Sequence, residues 1–338
     1  MFNSDVFYFP IFTKNSESEK YSSKQIHFGE IIDTWLQGCI DFITATFDHT
    51  TKETDIPFTA TADDIIRVLL AHDFNYQSRG RVAHLLNDLN ARVDRIIRSG
   101  KKLPIFFLYH GGYRATAGIN KYGLQFEPDI TELMLLYQIA RLQCKIKSIY
   151  PPGISFVIVI NNGVAAYTND IPYAATQGYV KRLQHMIDSI NASKVIKILM
   201  QSSLGSFEDL MRSVVIEPES CINQVDHRIV ERFLGRACSV EDACWYAARY
   251  MKAEAVWGEE VRAIVDQSSG FTCRQVAHPS CLSFRPFPGG AIRAQNGTVG
   301  FRMGKKDLIP NLITSVTFEH SEIMQVPVRC NLPGSNWT

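Results

Sequence analysis

The sequence predicts an α/β fold: a Rossmann-like sheet, mostly parallel with antiparallel C-terminal strands, and helices on both faces. Three observations carry this. Leu103-Pro-Ile-Phe-Phe-Leu108 and Ile154-Ser-Phe-Val-Ile-Val-Ile160 are continuous apolar runs, the pattern of strands buried on both faces. Between them, a stretch from about Asp129 to Tyr150 has helical character and is stopped by Pro151-Pro-Gly153; a helix is what a parallel crossover requires. Both runs lead into polar loops that carry glycine, Tyr109-His-Gly-Gly-Tyr-Arg114 and Asn161-Asn-Gly163. Ligands of open parallel sheets bind at the carboxyl ends of the strands, so a site is expected where these loops lie.

The other elements follow in order. Residues 1 to about 24 are polar, with Lys14-Asn-Ser-Glu-Ser-Glu-Lys20 as a solvated stretch, and are expected to be poorly ordered at their start. A helix from about Gly29 to Phe47 spaces Ile31, Ile32, Trp35, Ile40 and Ile43 for one face. Thr61 reads as the N-cap of a helix through Ile65-Ile-Arg-Val-Leu-Leu70. Val82 to Arg98 is amphipathic, and Ser99-Gly100 ends it. Beyond Gly163, a helix is expected over about Tyr173 to Ile190, a strand over Lys194–Met200, and a further helix from the capping signature Ser206-Phe-Glu-Asp209.

Residues 222 to 266 read as mostly helical: Asn223 to Gly235, then onward from the capping box Ser239-Val-Glu-Asp242. Phe271–Ala277 is a fourth strand. After it the texture changes: Gly, Pro and alternating runs such as Thr298–Arg302 and Thr314–Phe318 predict antiparallel strands and hairpins, hence a mixed sheet. The domain expectation is a partly helical N-terminal extension over 1–60 and an α/β domain over 61–338.

Charge and cysteine usage exclude several classes. The 35 basic and 34 acidic side chains leave a net charge of +1, so no global field recruits nucleic acid or an anionic membrane. No apolar stretch is long enough to span a bilayer, and the start lacks a signal-peptide pattern, which makes a cytoplasmic location the expectation. The 8 cysteines include no C-x-x-C pair. They are expected to be buried thiols in a reducing compartment, and no metal site is expected.

Several groups have the chemistry of a site. His110, Gly111, Gly112 and Arg114 offer an imidazole, close-approach backbone amides and a guanidinium able to fork onto phosphate or carboxylate; a tight turn after a strand is the plain alternative. Asp129 and Glu132 open the long helix, where carboxylates ordinarily complement the helix dipole. Asn162 lies in a turn signal that matters because of its place after a buried strand. Arg274 and His278 sit on or just after the fourth strand. Histidine serves as acid or base near neutral pH, though a single histidine after a strand is more often structural.

Taken together, these residues resemble the pyoverdine/dityrosine biosynthesis family, which includes isonitrile synthases acting on tyrosine or tryptophan. The resemblance runs from about Asp63 to Arg302. The family's apolar strand and lysine-ending loop correspond to Leu108–Arg114, with Arg114 at the lysine position. Its Pro-Asp with a nearby Glu is matched by Pro128, Asp129 and Glu132, its helix stop by Tyr150–Gly153, and its Arg-x-x-x-His-Pro signature by Arg274, His278 and Pro279. Where the family has Ser-Asp-Gly, this chain has Asn161-Asn162-Gly163. Arg114 keeps the charge but lacks an amine able to deprotonate or form an imine. Asn162 lacks an acceptor-only carboxylate.

The resemblance implies a divergent isonitrile synthase-like enzyme of specialised metabolism with no cofactor and no metal. It would join an amino acid amine to ribulose 5-phosphate to give an isonitrile or a related N-modified amino acid. His278 and Arg274 would be catalytic; His110, Gly111, Gly112, Arg114, Asp129, Glu132 and Asn162 would bind the amino acid and the phosphosugar. The implied partners are these small molecules, a second copy in a homodimer and a downstream 2-oxoglutarate-dependent oxygenase, with no nucleic acid and no membrane. Two other readings stay open: a catalytically altered member serving as a binding or partner protein, and an unrelated Rossmann-like transferase. The transferase reading is weakened by the lack of a Gly-rich first loop followed by an acidic strand end.

Overall fold

The computed structural model describes residues 6–14, 37–48, 59–75, 77–109, 128, 130–160, 162, 173–204, 225, 227–234, 239–274, 281–285, 291–293, 299–301 and 321–329. Its centre is a five-stranded sheet formed by β2 (Leu103–Tyr109), β3 (Ile154–Ile160), β4 (Ile196–Met200), β5 (Phe271–Arg274) and β6 (Leu282–Ser283), in the order β4-β3-β2-β5-β6. Every pairing in it is parallel. The chain runs from β2 outward through β3 to β4, then returns to the other side of β2 for β5 and β6. That is the doubly wound order, with its reversal between β2 and β5.

Alternation along the strands explains why both faces are buried. On one face, Ile105 and Phe107 of β2 and Phe156, Ile158 and Ile160 of β3 join one apolar core. That core also takes in the helices α1 (residues 37–48), α2 (Ala62–Leu69), α3 (Ala83–Ser99), α4 (Ile130–Lys147) and α5 (Tyr173–Ser189). On the other face, Phe106, Leu108, Val157 and Val159 pack with Val261 and Val265 of α7 (Val240–Gln267). Side chains on a strand point alternately to opposite faces, and a right-handed crossover changes face when the chain reverses direction.

Local chemistry sets the helix ends much as the sequence predicts. Thr61 Oγ1 accepts from Asp64 N at 3.3 Å and Asp64 Oδ2 accepts from Thr61 N at 3.0 Å, a reciprocal capping box for α2. Ser239 Oγ caps α7 through Asp242 N at 3.1 Å. Gly100 closes α3 in the left-handed region at φ 63°. Helix α4 is buried over most of its surface (Leu133, Met134, Leu135, Leu136, Ile139 and Ala140 are fully buried), as a helix pressed between a sheet and further helices must be.

Four expectations are corrected. The main sheet is wholly parallel rather than mixed; the antiparallel strands form separate pairs, β7 (Ala291–Arg293) with β8 (Val299–Phe301), and β1 (Val6–Lys14) with β9 (Ser321–Arg329). Residues 6–14 are therefore strand rather than poorly ordered chain, their backbone groups being taken up by β9. Strand β6 was not expected, because two residues carry no periodicity. Cys39, Cys273 and Cys281 are buried free thiols, but Cys144 is exposed. The expected helix from Ser206 and the run Thr314–Phe318 lie outside the described residues. The described helix α6 (His227–Leu234) pairs with α7 through Val230, Ala243 and Ala247, within the expected helical block. No described helix is long and apolar enough to cross a membrane.

The stop after α4 is built from three side groups. Gln143 Oε1 accepts from Ile154 N at 2.8 Å, so the helix reaches forward to hold the first amide of β3. The Tyr150 hydroxyl shares its one hydrogen between Lys101 O and Ile96 O, fastening the loop to the end of α3 and the start of β2. Gly153 adopts φ +71°, and a Cβ there would lie 2.7 Å from Gln143 Oε1. A Gly153→Ala protein therefore meets both a left-handed backbone and a steric conflict, and is expected to lose about 2 kcal/mol of stability. Urea denaturation checks this; a midpoint equal to that of the native protein would contradict it.

Candidate functional site at the carboxyl edge of the sheet

In folds of this class ligands bind where the strand order reverses, here between β2 and β5 at their carboxyl ends. Register fixes what stands there: Leu108 of β2 lies opposite Arg274, the last residue of β5, and Tyr109 lies opposite Ile160, the last residue of β3. Strand β4 ends in register with β3, at Met200 opposite Ile160. The segments that leave β2, β3, β4 and β5 therefore emerge along one edge.

Three of the sequence-predicted site residues fall within the described chain. Arg274 is half-buried at the end of β5. Glu132 sits in the first turn of α4, fully buried, and its Oε1 accepts from the Tyr179 hydroxyl of α5 at 2.9 Å. Burial with a phenolic partner is a different situation from an exposed dipole complement: a desolvated carboxyl group depends on its hydrogen bonds. Asn162, fully buried just past β3, is engaged from both ends of its amide. Its Oδ1 accepts from Ser202 N at 3.1 Å and its Nδ2 donates to Ser202 Oγ at 2.8 Å. This reciprocal clasp joins the segment after β3 to the turn after β4. His110, Gly111, Gly112, Arg114, Asp129 and His278 lie outside the described residues.

Sequence reasoning missed three groups at this edge. Tyr179 reads in sequence as one more core position of an amphipathic helix, one turn before Leu183, and only the fold brings its hydroxyl to Glu132. Ser202 has no signal beyond following a strand. Gln201 begins the 3-10 turn Gln201–Ser203 and is 6% exposed, while its Oε1 has no hydrogen-bond partner among the described residues. Buried Thr176 lies one turn before Tyr179 on α5. Among the described residues no group of three His, Cys, Asp or Glu is arranged to hold a metal.

Chemically, this edge presents a guanidinium, a buried carboxyl–phenol pair and neutral amides. A guanidinium forks onto a carboxylate or phosphate, whereas carboxyl and amide oxygens take N–H and O–H donors. The set suits a small polar molecule with both kinds of group.

Strand order, crossovers and buried faces define a Rossmann-like α/β protein. Among solved structures it shares its fold with the PvcA protein from Pseudomonas aeruginosa, with a TM-score of 0.55 and 14% identity over 71% of this chain and 91% of that one. Weaker likenesses, each with a TM-score of 0.32, are to tyrosyl-tRNA synthetases. That from Archaeoglobus fulgidus, complexed with L-tyrosine, is 10% identical over 63% of this chain and 55% of that one. That from Aeropyrum pernix is 9% identical over 74% of this chain and 67% of that one. No protein-family profile and no curated protein sequence matches the chain.

The Asn162 clasp generates a stability prediction. Asn162→Ala removes both bonds of the clasp to the half-buried Ser202, at a cost of about 1–3 kcal/mol. Chemical denaturation measures it. Unchanged stability would show that the clasp holds nothing in place.

Proposed function

We propose that the chain is a divergent isonitrile synthase-like enzyme that acts on the amine of an amino acid with ribulose 5-phosphate. The observation that carries this reading is the pairing of β2 with β5. Two segments that resemble the pyoverdine/dityrosine family, the loop to Arg114 and the Arg274–His278–Pro279 signature, leave neighbouring strands at the reversal point. A shared fold with the PvcA protein agrees with that resemblance.

In this reading Arg274 and Arg114 hold anionic groups, a carboxylate or a phosphate. His110 and the amides of Gly111 and Gly112 approach the phosphosugar. Asp129, Glu132 and Asn162 line the polar end of the amino acid. Condensing an amine with a ketone expels water and needs protons delivered and removed, the work of an imidazole near its pKa, and His278 is assigned to it.

The test is to incubate the protein with single amino acids and uniformly carbon-13-labelled ribulose 5-phosphate and to follow products by mass spectrometry. An isonitrile carrying one labelled carbon is expected. His278→Ala should lower its formation by about 10²–10⁴-fold while the circular dichroism spectrum stays native. Tight binding of one amino acid with no labelled product would sink the enzyme reading.

A second reading, a binding protein without this chemistry, is favoured by the neutral Asn162, whose amide is already engaged by Ser202. An Asp at this position would still accept from the Ser202 N–H and hydroxyl, so the site tolerates the exchange in hydrogen-bonding terms. If the native protein is inactive, the double substitution Arg114→Lys with Asn162→Asp should produce labelled isonitrile. Silence from the double variant would count against descent from an active enzyme of this type.

A further inference from the structure

Four glutamines are buried among the described residues, and three of them spend their side-chain oxygen on the fold. Gln77 Oε1 accepts from Ser283 N at 2.7 Å, Gln138 Oε1 accepts from Arg141 Nη1 at 3.0 Å, and Gln143 Oε1 accepts from Ile154 N at 2.8 Å. Gln201 is the exception: it is as buried as Gln77, 6% against 7% exposed, yet its Oε1 has no partner among the described residues. Buried acceptors are nearly always satisfied, and one left open costs stability.

Its position supplies a reason. Gln201 follows Met200, the last residue of β4, on the carboxyl edge where this fold class binds ligands. The turn that carries it is fixed from both sides. Leu204 N donates to Gln201 O at 3.0 Å, and the adjoining Ser202 is held by the buried amide of Asn162. The turn is thus fixed in place and the acceptor it carries is desolvated in advance, the condition under which a hydrogen bond to a ligand discriminates most strongly.

We infer that Gln201 is a ligand-binding residue whose side-chain oxygen accepts a hydrogen bond from an N–H or O–H donor of the bound small molecule. The ligand class rests on the proposed amino-acid and phosphosugar chemistry, in which the available donors are the ammonium group and the sugar hydroxyls. The amide oxygen itself accepts only and so cannot serve the carboxylate or the phosphate.

The experiment uses the full chain and compares the native protein with Gln201→Leu and Gln201→Glu. Without ligand, Gln201→Leu removes an unpaired buried acceptor and should melt about 2–4 °C above the native protein. A fall of that size would mean that the oxygen holds the fold together, and it would overturn the inference. By calorimetry, Gln201→Leu should weaken by tenfold or more the binding of whichever ligand reaches the oxygen, and Gln201→Glu, which keeps an acceptor, should retain it. Weakened binding of amino acids alone identifies the ammonium as the donor; weakened binding of ribulose 5-phosphate alone identifies a hydroxyl. Equal binding of both ligands by native and Gln201→Leu proteins would overturn the inference while leaving the proposed function standing. If the native protein binds neither ligand, the proposed function falls and the melting comparison still decides the role of Gln201.

Discussion

Strand β2 has to be buried on both faces and paired along both edges, and the rest of the fold answers to that requirement. Leu103–Tyr109 alternates apolar side chains to either side without a polar face to spare. Its position next to β3 on one edge and β5 on the other satisfies its backbone groups. Covering one face takes the cluster of helices headed by α4, and covering the other takes α7. Phe107 makes the constraint concrete. It meets Phe156 of β3 at 5.9 Å and Phe284, just beyond β6, at 5.2 Å, while Phe156 and Phe284 meet each other at 5.2 Å. Aromatic contacts at these distances add to simple area burial, and they tie β2, β3 and the sheet margin together.

The margin itself needs protection, because β6 is an edge strand and open edges invite pairing with other chains. The loop after α2 supplies it. Ser283 N donates to Gln77 Oε1, Ser283 Oγ donates to Asn75 Oδ1, and Arg285 N donates to Phe74 O at 2.8 Å. At the amino end of β5, Arg92 of α3 reaches Asp266 at 2.8 Å and Gly270 O at 3.0 Å, fixing the point where α7 turns into β5. With margin and entry both fixed, the end of β5 stands at a set height beside β2, and Arg274 inherits its place from that.

Strong periodicity was legible, and pairwise chemistry was not. Runs such as Leu103–Leu108 and Ile154–Ile160, or the capping pairs Thr61–Asp64 and Ser239–Asp242, announce themselves because their physics is local. Strand β6 owes its existence to Cys273 and Arg274 lying opposite Leu282 and Ser283, a pairing that two residues cannot signal in advance. Strand β1 carries a local strand signal in its apolar, aromatic run Val6–Phe12, which a reading of residues 1–24 as polar passes over; only its pairing with a partner more than three hundred residues away has no local rule to announce it. Glu132, Asn162 and Arg274 can be placed along the carboxyl edge from sequence because each follows or precedes a legible element. What Glu132 and Asn162 do there depends on Tyr179 and Ser202, which come from α5 and from the turn after β4, and no spacing rule links such residues.

The same distinction separates fold from function within the motifs that resemble a known family. The helix stop Tyr150–Gly153 is accounted for by structure alone: the hydroxyl of Tyr150, the φ of Gly153 and the reach of Gln143 all serve the join between α4 and β3. Any protein with this crossover has reason to keep such a stop, so it speaks for shared architecture and is silent on chemistry. Asn162 is subtler. A carboxylate at this position could accept from Ser202, but the amide also donates to it, so Asn can keep the join between the β3 and β4 ends without placing a charge in a fully buried position. A neutral amide thus holds the edge together without the desolvation cost that a buried carboxylate carries. The amide is therefore the side chain that the join between the β3 and β4 ends favours on stability grounds.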